Sequence, residues 1–247
     1  MLMLLGLTIL GSVAGLIGGV VFLFKESWAK TLSIYAIPFA AGVLLSVSML
    51  HLMPETTEIL GETGFFYILI AFLASFLFEK YFALMHHHEG HDGGEKKSSI
   101  PLVLFGDTIH NLIDGIAIGA AFVANPNLGL VVALSTFLHE TPHEIGDFGV
   151  LISRGWSTKK AFFANFFSAL ATIPAAFLDY FLVPDINSDT LAIVLAVAAG
   201  VFLYLGASDF LPEIGENDTK KRTFIKALLV LVGVFVMYSL SFILPES

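Results

Sequence analysis

Nine polar residues sit in two otherwise apolar stretches. The first holds Asp107, His110, Asn111 and Asp114, the second His139, Glu140, His143, Glu144 and Asp147. On a helix His110 and Asp114 stand four apart and Asn111 and Asp114 three apart, so these side chains share a face. His139, His143 and Asp147 form a second line at four-residue steps, with Glu140 three residues before His143. Imidazole, carboxylate and carboxamide donors suit Zn²⁺, Fe²⁺, Mn²⁺ or Co²⁺. They are too rich in imidazole for Ca²⁺ or Mg²⁺ and lack the thiolate that favours Cu⁺. The expected ligands are His110, Asn111, Asp114, His139, Glu140 and His143, with Asp107, Glu144 and Asp147 along the pathway or behind the ligands.

These residues stand in a costly place. The chain has 247 residues, of which 56% are hydrophobic and 13% charged, and its 24 phenylalanines outnumber all its lysines and arginines. Its mean hydropathy is +0.85. So few charges cannot cover the surface of a soluble domain of this size, whereas lipid needs no such cover. An ionised acid at a bilayer centre costs about 2.5–3.5 kcal/mol on insertion scales, so five unpaired ones would cost on the order of 12 kcal/mol. Neither stretch contains a lysine or arginine, which leaves protons or bound metal cations to offset that cost. The net charge of −9 argues against nucleic-acid binding. With no cysteine there is no disulfide, thiolate site or thiol nucleophile.

Apolar runs of about 20 residues predict eight membrane spans: 2–24, 31–53, 64–84, 100–124, 128–152, 159–182, 190–211 and 223–244. The first lacks the basic flank of a signal peptide and is expected to be retained. All 12 basic residues fall in or beside the loops after the odd spans: Lys25 and Lys30; Lys80, Lys96 and Lys97; Arg154, Lys159 and Lys160; Lys220, Lys221, Arg222 and Lys226. The positive-inside rule then puts the odd loops in the cytoplasm and both termini outside. Glycine stripes at Gly11, Gly15 and Gly19 and at Gly115 and Gly119 predict close helix packing. Pro142 loosens the fifth span between its polar residues. The loop of about Asn125 to Asn127 makes the fourth and fifth spans antiparallel neighbours.

Residues 40–55 match residues 198–213 at seven of sixteen positions with a constant offset of 158, including Pro54-Glu55 and Pro212-Glu213. The same offset carries the first span onto the sixth and the third onto the eighth. The related spans run in opposite directions, so the expected fold is all-α, with eight spans in a 3+2+3 inverted-repeat arrangement. Such repeats are an architecture of secondary transporters, with a site near the midplane. A single domain covers 1–247: a three-helix repeat over 1–84, a His-rich loop over 85–99, the metal-binding pair over 100–153 and the inverted repeat over 159–244.

At these residues the sequence resembles the ZIP family of divalent metal transporters. The resemblance is carried by His110-Asn111-Leu112-Ile113-Asp114-Gly115 and by His139-Glu140-Thr141-Pro142-His143-Glu144-Ile145-Gly146-Asp147-Phe148. The second motif is similar to the HExPHExGDF signature of the LIV-1-like branch. The resemblance implies import of Zn²⁺, with Fe²⁺, Mn²⁺ and Cd²⁺ as further cargo, and no enzyme cofactor. It implies a two-metal centre: His110, Asp114, His139 and His143 for one ion, and Asn111, Asp114, Glu140 and His143 for the other. It further implies a homodimer, in which a helical group with the fourth and fifth spans slides past a fixed scaffold. Some bacterial members add a glutamate from the sixth span, where this chain has Asn165, Ser168 and Thr172.

The rival reading is an intramembrane zinc metalloprotease, because His139-Glu140-Thr141-Pro142-His143 satisfies H-E-x-x-H. Pro142, the surplus of ligands and the repeat weigh against an enzyme. A carrier of an organic solute whose carboxylates relay protons is a second rival, which the histidines and Asn111 disfavour. His86, His87, His88 and His91 form a cytoplasmic loop cluster suited to metal capture or to a solvated linker. His51 and Asp209 precede the two Pro-Glu pairs by three residues and, with Glu55 and Glu213, are candidate pathway residues. Short loops point to a bacterial or archaeal cell membrane, with metal ions and lipid as partners. Setting aside the eight acids in or beside the spans leaves 13 against 12 bases, so the acidity belongs to the membrane route.

Overall fold

The computed structural model describes residues 1–24, 26–87, 100–182, 187–214 and 218–244, with side chains for all of these but 21–33, 82–87, 100–103, Ser153, Asp179, Leu182 and Glu213. About 90% is helix, and no strand occurs among the described residues. The α-helices are α1 (Leu2–Gly11), α2 (Ile17–Phe24), α3 (Glu26–Ser46), α4 (Met53–Leu60), α5 (Glu62–His87), α6 (Ile100–Ala124), α7 (Pro126–Ser153), α8 (Thr158–Ala169), α9 (Thr172–Leu182), α10 (Ser188–Tyr204) and α11 (Lys220–Ile243). Among the described residues five stretches are long and apolar enough to cross a membrane: Ile34–Leu60, Glu62–Tyr81, Thr158–Leu178, Ser188–Phe210 and Lys220–Ile243. They fall on the second, third, sixth, seventh and eighth expected spans. Helices α6 and α7, with 25 and 28 residues, reach roughly 37 and 42 Å at 1.5 Å per residue, and they carry the acids and histidines.

Two expected spans are broken. The sixth divides at Leu170–Ala171 into α8 and α9, because Pro174 has no N–H to offer the Leu170 carbonyl. The first divides over Ser12–Leu16 into α1 and α2. There the Ser12 hydroxyl donates to the Thr8 carbonyl at 2.8 Å, and the Gly15 amide turns back to the Ser12 carbonyl at 2.8 Å. Helices α1 and α8 end at Gly11 and Ala169, 158 positions apart.

The same offset recurs in the wider turns. Val47–Leu52 and Leu205–Phe210 are both π-helical, again 158 apart. Each closes with a backbone bond from the residue just past it, Met53 to Ser48 and Leu211 to Gly206, and each is followed at once by a proline pair position, Pro54 or Pro212. Single π turns inside helices often mark functional places.

Glycines set the packing. A Cβ at Gly42 of α3 would collide with the Val230 carbonyl of α11, and one at the equivalent Gly200 of α10 with the Ile68 carbonyl of α5. Helices α3, α5, α10 and α11 are joined by these contacts, while α6 packs on α9 and α7 on α1, α2 and α8. The stripe Gly11, Gly15 and Gly19 lies against Thr136, Glu140 and Phe148 of α7, as close packing requires. The two groups of helices meet where α3 lies on α7 and α10 on α6. The core runs through both, with Leu44, Ala117, Ile118, Val132, Leu195 and Phe202 fully buried.

Candidate metal centre

Helices α6 and α7 are joined by one non-helical residue. Asn125 has an extended backbone, its side chain accepts from the Asn127 amide at 2.8 Å, and Pro126 opens α7. An asparagine cap followed by proline is a strong helix start, and it turns the chain back sharply. The pair is antiparallel: Asp114 faces His139, His110 faces Glu140, and Asp107 groups with His143 and Asp147.

This register assembles a buried group of His110, Asp114, His139 and Glu140, each offering one donor atom within 4.8 Å of the others. His139 Nε2 is 3.2 Å from Asp114 Oδ2 and 3.7 Å from Glu140 Oε1. His110 Nε2 is 2.9 Å from Glu140 Oε1 and 3.9 Å from Asp114 Oδ2. The His139 Nδ1–H donates to the Ser135 carbonyl at 3.0 Å, so its Nε2 carries a lone pair into the group. Apart from the close His110–Glu140 contact, both oxygens of Asp114, Oε2 of Glu140 and Nε2 of His139 are buried with no hydrogen-bond partner. Lone pairs facing one another in a buried place repel unless a cation stands between them. The donor chemistry, two nitrogens and two oxygens, is that of a transition-metal site.

Asn111 bridges α6 and α9 beside these donors. Its amide donates to Asp107 Oδ1 at 3.0 Å and to the Asp107 carbonyl at 3.1 Å, and its oxygen accepts from the Thr172 hydroxyl at 3.2 Å. His143 groups with Asp107 and Asp147, its ring centre 4.9 Å from that of His110. Glu144 is fully buried on α7. Asp209 lines a cavity of about 590 Å³ together with His110, Asp107, His143 and Asp147. His51 lies elsewhere, buried, its Nε2 donating to the Met237 carbonyl at 3.2 Å. Glu55 is half-buried on α4. The Glu213 side chain and the His88 and His91 positions lie outside the described residues, and His86 and His87 close α5 with only their backbone described.

Phe202 and the Glu79–Tyr204 pair escaped the sequence reading. Phe202 of α10 stands edge-on to the His139 ring at 5.6 Å. Glu79 of α5 lines the cavity and accepts a hydrogen bond from Tyr204. A lone acid inside an apolar run was the available signal for Glu79. Nothing in the pattern of α10 distinguishes Phe202 from its apolar neighbours.

These features define an α-helical membrane protein with a buried nitrogen- and oxygen-donor centre between two antiparallel helices, α6 and α7. Residues 96–241, more than half of the chain, match the ZIP zinc transporter family, and the chain belongs to that family. Among curated relatives it is 37% identical to zinc transporter zipt-7.2 of Caenorhabditis elegans over 143 residues, which is 56% of this chain and 30% of that protein. It is 39% identical to mouse zinc transporter ZIP4 over 133 residues, 54% of this chain and 20% of that protein. With human zinc transporter ZIP10 it shares 39% over 141 residues, 56% of this chain and 16% of that protein. The chain thus spans less than a third of the length of each of these relatives.

Proposed function

We propose that this chain carries divalent transition-metal cations, Zn²⁺ foremost and Fe²⁺, Mn²⁺ or Cd²⁺ as further cargo, across a cell membrane into the cytoplasm. The observation that carries the reading is the buried group His110, Asp114, His139 and Glu140, whose donor atoms converge within 4.8 Å. Two imidazoles make zinc the favoured ion. The family and the names of its relatives, all zinc transporters, point the same way. The His139–Asp147 motif favours the LIV-1-like branch, and the homodimer is carried over from the same likeness.

The eight-span, 3+2+3 arrangement draws support from the shared offset of the π segments and of the α1 and α8 ends. The domain limits of 1–84, 85–99, 100–153 and 159–244 follow from it. The segregated basic residues favour cytoplasmic odd loops and external termini. On that orientation the cavity beside His143 and Asp147 lies in the cytoplasmic half, next to Glu79 and Lys80, which pair at 2.7 Å. An ion held between α6 and α7 would then leave inward.

The protease reading fares worse. In H-E-x-x-H enzymes the two histidines bind one metal and the glutamate stays free as a base. Here Glu140 sits inside the donor group, and His143 belongs to another one. The test is Zn²⁺ uptake by proteoliposomes holding the purified chain. We expect uptake, abolished by His139→Ala and lowered by His143→Ala; unchanged uptake in the His139 variant would sink the site assignment.

A further inference from the structure

We infer that Asp107, His143 and Asp147 form a second cation site, separate from the buried centre, that holds the ion at the wall of the cavity. The inference rests on the transport reading above and adds an order to it: His110, Asp114, His139 and Glu140 first, then Asp107, His143 and Asp147.

The geometry is that of a three-ligand site. One donor atom from each of the three residues lies within 4.8 Å of the other two. His143 Nδ1 and Asp147 Oδ2 are 3.8 Å apart, one turn along α7. That is too long for a hydrogen bond. It suits two ligands of one ion, because donors held about 2.0–2.2 Å from a metal stand about 3–4 Å from each other. Asp107 reaches in from α6. Its Oδ1 is held by the Asn111 amide at 3.0 Å, while its Oδ2 is buried without a hydrogen-bond partner, as is His143 Nδ1. Asn111 therefore acts here as a positioning residue, turning one edge of the Asp107 carboxylate toward His143.

Three differences separate this group from the buried centre. It has one imidazole rather than two, so it holds zinc less tightly. It has three protein donors, which leaves a coordination position for water. Two of its side chains are partly open, His143 at 28% and Asp147 at 17%, against 0% for Asp114 and His139. All three of its residues line the 590 Å³ cavity, whereas His110 alone of the buried centre does so. No lysine or arginine lines that cavity among the described residues. The rings of His110 and His143 are 4.9 Å apart, so an ion can change ligands without crossing apolar surface. The buried centre and the more open group thus stand in series, with the second exposed to the cavity.

The experiment counts Co²⁺ bound to the purified full chain in detergent by equilibrium dialysis, with the visible spectrum recording ligand type. We expect two ions per chain. Asp147→Asn and Asp107→Asn should each keep one ion, with the spectrum of the buried centre unchanged, and His139→Ala should lose the tighter one. The retained ion and an unshifted melting temperature certify the fold of each variant. One ion in the unaltered chain would overturn the second site but leave the transport reading standing. Two ions that survive both aspartate variants, or that leave together in a variant with an unshifted melting temperature, would equally overturn it. If Asp147→Asn does not fold, Asp107→Asn alone decides. No ion bound to the unaltered chain would instead sink the transport reading itself.

Discussion

Glu140 Oε1 lies 2.9 Å from His110 Nε2, across the interface between α7 and α6. The contact commits this glutamate to the same donor group as two histidines and Asp114, and so removes it from the role of a free base. Glu140→Gln should then weaken metal binding by about 10–100-fold, the range seen when a group supporting a metal site is lost. Isothermal titration with Zn²⁺ measures this. Intact binding together with loss of a proteolytic activity would be the opposite result.

Phe202 holds the face of the centre that belongs to the other helical group, edge-on to His139 at 5.6 Å and fully buried. Phe202→Ala should cost about 3–5 kcal/mol of stability, the usual penalty for emptying such a volume. Phe202→Leu should cost less and yet loosen His139, so that zinc affinity falls while the fold persists. Thermal unfolding and zinc titration of both variants separate packing from ligand placement.

The close approach of α3 to α11 at Gly42 leaves no room for a side chain. Gly42→Val should lower stability by at least about 1–3 kcal/mol, as overpacking does. Gly6→Ala adds its methyl where nothing lies within 4 Å and should leave the melting temperature in detergent unchanged or slightly raised.

Tyr204 donates to Glu79 across the cavity. Tyr204→Phe removes the donor and should cost about 1 kcal/mol. The zinc affinity of the buried centre should not change, since neither residue touches it. A loss of affinity equal to that of His139→Ala would show that this pair is part of the centre.

The donor set was legible in sequence because chemistry-bearing residues recur at steps of three and four, and one helix face collects them. The hairpin was legible from Asn125-Pro126. The partition of the set was not. Each four-residue step drifts by about 40° around a helix of 3.6 residues per turn, so His139, His143 and Asp147 leave a common line. How α7 is rotated against α6 decides which of them meet His110, and tertiary packing sets that rotation. The break in the sixth span could have been read from Pro174, which has no N–H for the carbonyl four residues before it, so that the Leu170 carbonyl turns to the Ile173 amide at 3.3 Å instead. The break in the first span could not, for Ser12–Leu16 contains no proline and its glycines equally suit an unbroken, closely packed helix.

Uptake of radiolabelled Zn²⁺ into proteoliposomes, comparing the unaltered chain with Asp114→Asn, tests the central claim most directly. Asp114 is fully buried, its Oδ2 3.2 Å from His139 Nε2. The account expects zinc to enter with the unaltered chain and to enter no faster than in protein-free vesicles with the variant. Equal uptake by a folded Asp114→Asn protein would contradict it.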